Sequence, residues 1–358
     1  MENDINFIKE TLELAKLGSG TVSPNPLVGA LIVKDGKVIG RGFHSFSGGP
    51  HAEVLAFENC NEDPAGGTLY CNLEPCCHQH KKTPPCVPLI IKKGIKRVVI
   101  CNLDPNPMVN GEGLAELRRH GIETVSGILE SQGKELNRFF FKYIKNLKPY
   151  ISVKIAQTLD GKICLENGES KWISNLKSRE IVHQMRFESD AICVGISTVI
   201  NDDPFLNVRD PSGKCIKSPF KIIIGNPNKL NSKLNIFKEA PEKVIVFYNS
   251  DEILQNHVAT LGAEFIKLPT ENFEEKILQK LGEKKITSLF IEGGEKTISS
   301  FLKEKLVDKL IIYIAPKIFG EGKSFYRGHD TKNILDHFTL RKLQNVDGNI
   351  LTEYETVR

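Results

Sequence analysis

Apolar positions recur along this chain at two periods, helical and extended, and the two alternate from end to end. Ile5, Ile8, Leu12 and Ala15 sit at helical spacing within residues 5–17, and Gly18, Gly20, Pro24 and Pro26 stop the helix they predict. Residues 27–33 and 38–43 are apolar runs around Asp35-Gly36. Asp-Gly suits a two-residue turn whose central residues both need positive φ, so the pair predicts a hairpin. A helix is expected from His51 to Phe57, behind Gly48-Gly49-Pro50. Strands over 68–72 and 97–101 and helices over 87–93, 114–120 and 130–145 follow. The last carries Leu136, Phe139, Phe140 and Tyr143, and Lys148-Pro149 stops it. This order predicts a layered α/β domain with helices covering a mixed sheet.

The pattern restarts near 147–149. Strands over 151–155, 191–195, 221–224, 244–248, 288–291 and 309–314, with helices over 178–187 and 296–303, predict a second α/β domain. A chain of 358 residues accommodates two domains, here 1–146 and 150–358, and no internal repeat or low-complexity tract is visible.

Composition acts mainly by exclusion. The 48 basic and 44 acidic residues are interspersed and leave a formal charge of +4, without the basic footprint of a nucleic-acid binder. The amino terminus lacks a basic and apolar leader pattern, and no uncharged apolar run reaches membrane-spanning length, so a cytoplasmic protein with no membrane partner is expected. Nine cysteines, odd in number and unevenly spaced, do not read as a disulfide framework. Cys60 and Cys71 read as core or strand residues. Cys164, Cys193 and Cys215 read as small buried hydrophobes.

The candidate chemistry is concentrated between His51 and Cys86: His51-Ala52-Glu53, then Pro75-Cys76-Cys77-His78, then Pro84-Pro85-Cys86. One imidazole and two thiolates can hold zinc tetrahedrally with a fourth position open to water. A carboxylate two residues from the imidazole can then move that water's protons. His51, Cys76 and Cys86 are therefore the expected metal ligands and Glu53 the expected catalytic acid and base. The alternative is a closed structural zinc with Cys77 or His78 as fourth ligand.

These motifs, with Leu73-Glu74 ahead of Pro75-Cys76 and Thr83 ahead of Pro84-Pro85-Cys86, resemble the deaminase domain of the bifunctional riboflavin-biosynthesis deaminase/reductase family. Pro24-Asn25-Pro26-Leu27-Val28-Gly29-Ala30 and Asp104-Pro105-Asn106-Pro107 resemble it too, and Asn25 is a candidate contact. Two departures stand out. The Cys76–Cys86 spacing is one residue longer than is usual in the family, and His80-Lys81-Lys82 replaces its Gly-Arg or Gly-Lys.

The second half resembles the same family's reductase domain, through Lys154 to Lys162, Ser170-Lys171-Trp172-Ile173-Ser174, Arg179, His183, Arg186, Asn201-Asp202-Asp203-Pro204 and Glu292-Gly293-Gly294. No Gly-x-Gly-x-x-Gly follows a predicted strand, so a nucleotide needs another cradle, and Gly293-Gly294 ahead of a helix offers one. By itself that pair is more often an ordinary tight turn. Arg186 and Arg209 suit a phosphate, with surface ion pairing as the alternative.

The resemblance implies a cytidine-deaminase-like three-layer α/β/α domain followed by a dihydrofolate-reductase-like α/β domain. It implies zinc in the first and NADPH in the second. Ala156, Trp172, Thr198, Asp202, Gly294, Glu295, Lys296, Thr297, Ile298, Ser299 and Ser300 are then expected at the cofactor, with Asn226 standing where a Ser is usual. Ser170, Arg186, Leu206, Arg209 and Glu292 are expected at a small phosphorylated pyrimidine substrate. Lys154 or Asp202 would handle protons. A homodimer or tetramer is implied as well. Two other readings remain open from the residues alone: a nucleic-acid deaminase fused to an unrelated α/β domain, and a zinc-stabilised binding module.

Overall fold

Along the strand 29–34, Ala30 and Ile32 turn to one side and Leu31 and Val33 to the other, and both sides are buried. A strand covered on both faces needs helices on both faces, which is what the computed structural model contains. It describes residues 2–77, 84–169, 172–210, 212–252, 255–328 and 336–356. The chain divides into two compact units, Met1–Leu147 and Lys148–Arg358.

The first unit runs α1 (Glu2–Lys16), β1 (Gly29–Lys34), β2 (Lys37–Phe43), α2 (Ala52–Glu58), β3 (Thr68–Leu73), α3 (Cys86–Lys92), β4 (Arg97–Asn102), α4 (Glu112–Arg119), β5 (Glu123–Val125), α5 (Glu130–Leu136) and α6 (Arg138–Asn146). The sheet order is β2-β1-β3-β4-β5, antiparallel at β2-β1-β3 and parallel beyond. Ala52, Ala56 and Phe57 of α2, Val87 and Ile90 of α3 and Leu114 and Leu117 of α4 cover one face. Ile8 and Leu12 of α1, with Leu136 of α5, cover the other. The expected hairpin forms, and Asp35 and Gly36 both have positive φ, at 47° and 75°. The expected single helix over 130–145 does not form. It breaks at Asn137 (φ −100°, ψ 23°), whose amide accepts from Leu27 N at 2.8 Å and donates to Leu27 O at 2.9 Å. Those two tertiary bonds outweigh continuation of the helix.

The second unit runs β6 (Tyr150–Thr158), α7 (Leu176–Glu188), β7 (Ala191–Gly195), α8 (Ile196–Asp202), β8 (Val208–Arg209), β9 (Cys215–Lys217), β10 (Phe220–Ile224), β11 (Val244–Tyr248), α9 (Asn256–Ala259), β12 (Glu264–Lys267), α10 (Phe273–Glu283), β13 (Ser288–Gly293), α11 (Glu295–Lys303), β14 (Lys309–Ala315), β15 (Phe338–Val346) and β16 (Asn349–Thr356). Nine strands form one sheet in the order β12-β11-β10-β7-β13-β6-β14-β16-β15. It is parallel from β12 to β14 and ends in the antiparallel pair β16-β15. Continuous apolar runs such as Ala191-Ile192-Cys193-Val194 are buried on both faces, with α10 and α11 on one side and α7 and α8 on the other. Cys71 and Cys193 are buried as expected. Cys164 and Cys215 are only partly buried: Cys164 lies outside the named strands and Cys215 on the two-stranded β8-β9 ribbon, so neither belongs to the main sheet.

Candidate functional site

Two glycines of β2 set the position of the helix that carries the first site. A Cβ on Gly42 would lie 2.3 Å from Ala52 O, and one on Gly40 would lie 2.2 Å from Ala56 O, so α2 packs against bare backbone. His51 is the residue immediately before α2, in extended conformation after Pro50, and Glu53 lies in its first turn. Glu53 is 4% exposed although it is a carboxylate. Burial, and after it the neighbouring Cys76, raise its pKa.

Cys76 follows β3 and Cys86 opens α3, with Pro85 ahead of it. Their loop ends are laced together: Cys86 N donates to Cys76 O at 3.0 Å, and Val87 N donates to the same oxygen at 3.2 Å. His51 Nδ1 is 3.2 Å from Cys86 Sγ and 3.5 Å from Cys76 Sγ, and the three donor atoms lie within 4.8 Å of one another. Ligand pairs around tetrahedral zinc with one nitrogen and two sulfurs are separated by about 3.5 to 3.8 Å, so the donor set fits the metal. Three buried or half-buried donors beside a buried carboxylate also need a cation for charge balance once the thiols ionise. Cys77 is not part of this cluster among the described residues. His78 and His80 lie outside them.

Several residues that the sequence reading passed over hold this site together. His44 is 4% exposed, and its Nδ1 is 2.9 Å from Pro50 O. A carbonyl only accepts, so Nδ1 carries the proton and Nε2 accepts from Asn25 Nδ2 at 3.1 Å. Burial depresses the His44 pKa and favours this neutral form. Asn72 spans the start of β1, accepting from Gly29 N at 2.7 Å and donating to Leu27 O at 2.9 Å. Glu74 accepts from the main chain of Asp104, Gly111 and Leu114, fixing the loop before α4.

The second candidate site lies where β7, β13 and β6, adjacent and parallel, end at their carboxyl edges. Gly294 (φ 81°) precedes α11, and Thr198 stands on α8 beside it. A Cβ on Gly293 would be 3.2 Å from Thr198 Oγ1, and one on Gly195 would be 2.8 Å from Thr297 Oγ1. Both strand ends thus bring a hydroxyl and a helix start to one cradle whose donors fit a phosphate-bearing cofactor. Within the expected run, Ile298 belongs to the core, Ser299 Oγ accepts from Arg327 N, and Ser300 Oγ donates to Thr297 O. Glu295 and Lys296 occupy the first turn of α11, and Asp202 ends α8.

Arg186 of α7 donates to both carboxylate oxygens of Glu292 at the end of β13, through Nη2 at 2.8 Å and through Nε. Burial alone would raise Glu292, but Arg186 holds it below the usual carboxylate range. Lys154 on β6 belongs to the same electrostatic group, and burial lowers its pKa. Arg209 lies with its guanidinium 4.4 Å from the centre of the Phe205 ring, and Leu206 is buried beside it. Ala156 is partly buried on β6. Trp172 is 61% exposed, carries the Arg179 guanidinium 4.1 Å over its ring, and accepts from Lys317 Nζ at 2.5 Å through its main-chain oxygen. Asn226 is engaged locally: it accepts from Asn228 N and donates to Glu252. Ser170 lies outside the described residues.

An imidazole and two thiols converging beside a buried carboxylate on one α/β unit, followed by a mostly parallel sheet with a glycine-edged cradle, define a zinc-type deaminase domain joined to a reductase domain. The description "cytidine and deoxycytidylate deaminase zinc-binding region" matches residues 1–102, and "RibD C-terminal domain" matches residues 149–352. The chain is 45% identical over 325 residues to the riboflavin biosynthesis protein RibD of Aquifex aeolicus, covering 90% of each, and 36% identical over 328 residues to that of Escherichia coli, covering 88% of this chain and 89% of that one. Among solved structures, Acinetobacter baumannii RibD matches at a TM-score of 0.90 with 35% identity, covering 100% and 99% of the two chains. A diaminohydroxyphosphoribosylaminopyrimidine deaminase/5-amino-6-(5-phosphoribosylamino)uracil reductase from Thermotoga maritima matches at 0.88 with 40% identity, covering 99% of each. The chain therefore belongs to the RibD family, the bifunctional deaminase/reductases of riboflavin biosynthesis. That removes the fusion to an unrelated second domain and the degenerate binding module. Among the described residues, no helix is long and apolar enough to cross a membrane.

Proposed function

We propose that the first unit hydrolyses the exocyclic amine of 2,5-diamino-6-(5-phosphoribosylamino)pyrimidin-4(3H)-one, and that the second reduces the ribosyl arm of the product to give 5-amino-6-(5-phospho-ribitylamino)uracil. The observation that carries this reading is the meeting of His51, Cys76 and Cys86 within 4.8 Å, beside the buried Glu53. His51, Cys76 and Cys86 would hold zinc, which supplies an acidified water at near-neutral pH. Glu53 would take one proton from the attacking water and pass it to the ring nitrogen as the C–O bond forms, then take the proton of the added hydroxyl and pass it to the amine, which leaves as ammonia when the C–N bond breaks and the carbonyl forms; its buried setting favours the protonated form that each delivery needs. Asn25, oriented by His44, donates a hydrogen bond to the pyrimidine.

In the second unit, Gly294 to Ser300 with Ala156, Trp172, Thr198 and Asp202 would hold NADPH, which supplies a hydride. Asn226, already bonded to Glu252, is a peripheral member of that set at most. Arg186, Arg209, Glu292, Leu206 and Ser170 hold the phosphorylated substrate, and Lys154 exchanges the proton. Residues 1–146 and 150–358 are the two functional domains of this reading, which further includes a cytoplasmic homodimer or homotetramer; light scattering of pure protein that returned a monomer would remove the assembly from it.

The test is Glu53→Gln in the full chain. Ammonia release from the diaminopyrimidinone should fall by about 10² to 10⁴, while one zinc per chain is retained and NADPH consumption with the deaminated compound is unchanged. Undiminished ammonia release would refute the role of Glu53, and absence of stoichiometric zinc from active wild-type protein would refute the metal.

A further inference from the structure

Asn207 is 2% exposed, and its amide is engaged in both directions. Nδ2 donates to Glu239 Oε2 at 2.6 Å, and Oδ1 accepts from Arg209 Nε at 3.0 Å. Its main-chain oxygen accepts from Arg186 Nη1 at 3.3 Å. A carboxylate only accepts and a guanidinium only donates, so the amide has a single orientation that satisfies both neighbours. Asp in its place would set two carboxylates together, and an aliphatic residue would remove one hydrogen bond from each charged partner.

The support behind Asn207 is also built. Asp203 and Leu206, in the loop leading to it, have φ of 42° and 49°. Non-glycine residues adopt such values only where the surroundings hold them. Asn235 does so at Asp203, with its main-chain N on Oδ1 at 2.7 Å and its Nδ2 on O at 3.1 Å and on Oδ2 at 2.8 Å. The segment bearing Asn235 and Glu239 is tied to β10 by Lys221, a fully buried lysine whose Nζ donates to Ile236 O at 2.9 Å and Glu239 O at 2.6 Å. On its far side, Arg209 N donates to His183 Nδ1 at 3.3 Å.

We infer that Asn207 is a positioning residue for the phosphate end of the reductase substrate: bonding to Arg209 Nε and Arg186 Nη1, it presents the remaining guanidinium edges to one phosphoryl group. The inference rests on the reading that Arg186 and Arg209 hold that phosphate. With Nε committed to Asn207, Arg209 keeps its two terminal nitrogens as a bidentate edge. Glu239 and Lys221 act at one remove, by fixing the amide and the segment behind it.

The experiment is steady-state reduction by the full-length enzyme, with the deaminated phosphoribosylaminopyrimidine and with its dephosphorylated counterpart. Asn207→Ala should raise KM for the phosphorylated substrate about 10- to 100-fold, with kcat within about threefold. It should leave the dephosphorylated substrate and ammonia release by the first unit unchanged. Asn207→Asp should repeat the loss, and Asn207→Asp combined with Glu239→Gln, which reverses donor and acceptor, should recover the wild-type KM. Equal losses on both substrates, a fall in kcat alone, or a folded double variant without recovery would overturn the inference. Arg209→Ala separates it from the underlying reading. If Arg209→Ala leaves discrimination between the two substrates intact, the arginine reading fails; if Arg209→Ala removes it and Asn207→Ala does not, only the role of Asn207 fails.

Discussion

Asp4 sits in the first turn of α1, where its carboxylate receives Arg97 through Nη1 at 2.7 Å and Nη2 at 3.1 Å, and Tyr70 OH at 2.7 Å. The Arg97 hydrogen bonds lower its pKa from 3.8 to about 2, against burial, which acts the other way. The folded pKa lies below the unfolded one, so this group's stabilisation is fully present above about pH 4 and disappears as the pH falls through about 2. With Arg97 a quarter exposed, the contribution is about 1 to 2 kcal/mol. Asp4→Asn should therefore be less stable than wild type at pH 6 in urea denaturation, and the gap should close between pH 4 and pH 2. A gap independent of pH would contradict the pairing. The same scale shows where reading residues in isolation stops. Pairing His51 with Cys76 and Cys86 needed only residue types and spacing, whereas His44, Asn72, Asn137 and Asn207 each have a partner between 19 and 110 positions away, and a polar residue carries no mark of such a partner.

At the scale of elements, the distance between α2 and β2 is set by Gly40 and Gly42. Gly42→Ala places a Cβ 2.3 Å from Ala52 O and 2.4 Å from Ala56 N, both main-chain atoms that cannot rotate aside. The helix carrying Glu53 must shift, at about 1 to 3 kcal/mol. The melting temperature of the first unit should drop by roughly 3 to 9 °C, and ammonia release should fall by more than the loss of folded protein explains; unchanged turnover per folded molecule would show that α2 need not move. Periodicity located α2 and its strand neighbours because their apolar faces repeat. It missed β15 and β16, although Asp347-Gly348 has positive φ at both residues, at 51° and 85°, and repeats the turn signal of Asp35-Gly36. The reason is exposure: β15 is open along most of its length and so lacks the alternation by which a half-buried strand announces itself. The helix over 130–145 failed for the opposite reason, since its pattern continues through Asn137 while a tertiary bond interrupts the backbone.

For the whole molecule, the two activities rest on separate units with separate hydrophobic cores. Removing the metal should then act on one of them. Dialysis against a zinc chelator should abolish ammonia release and leave NADPH oxidation with the deaminated substrate within about twofold, because no cluster of three or more candidate ligands lies in the second unit among the described residues. Parallel loss of both activities, without aggregation, would mean that the units depend on one another. Restoring zinc should return the deaminase alone.

The chain's own order of residues determined that there are two α/β halves and which side chains are candidates to bind zinc and move protons, because periodicity and ligand chemistry are local properties that survive unfolding. Tertiary structure alone decided how those side chains meet, which helix is interrupted, and which buried amides tie distant loops together. These follow from close approach of segments distant in sequence: a hydrogen bond between Asn137 and Leu27, or between Asn207 and Glu239, exists only after packing has brought its two ends within 3 Å.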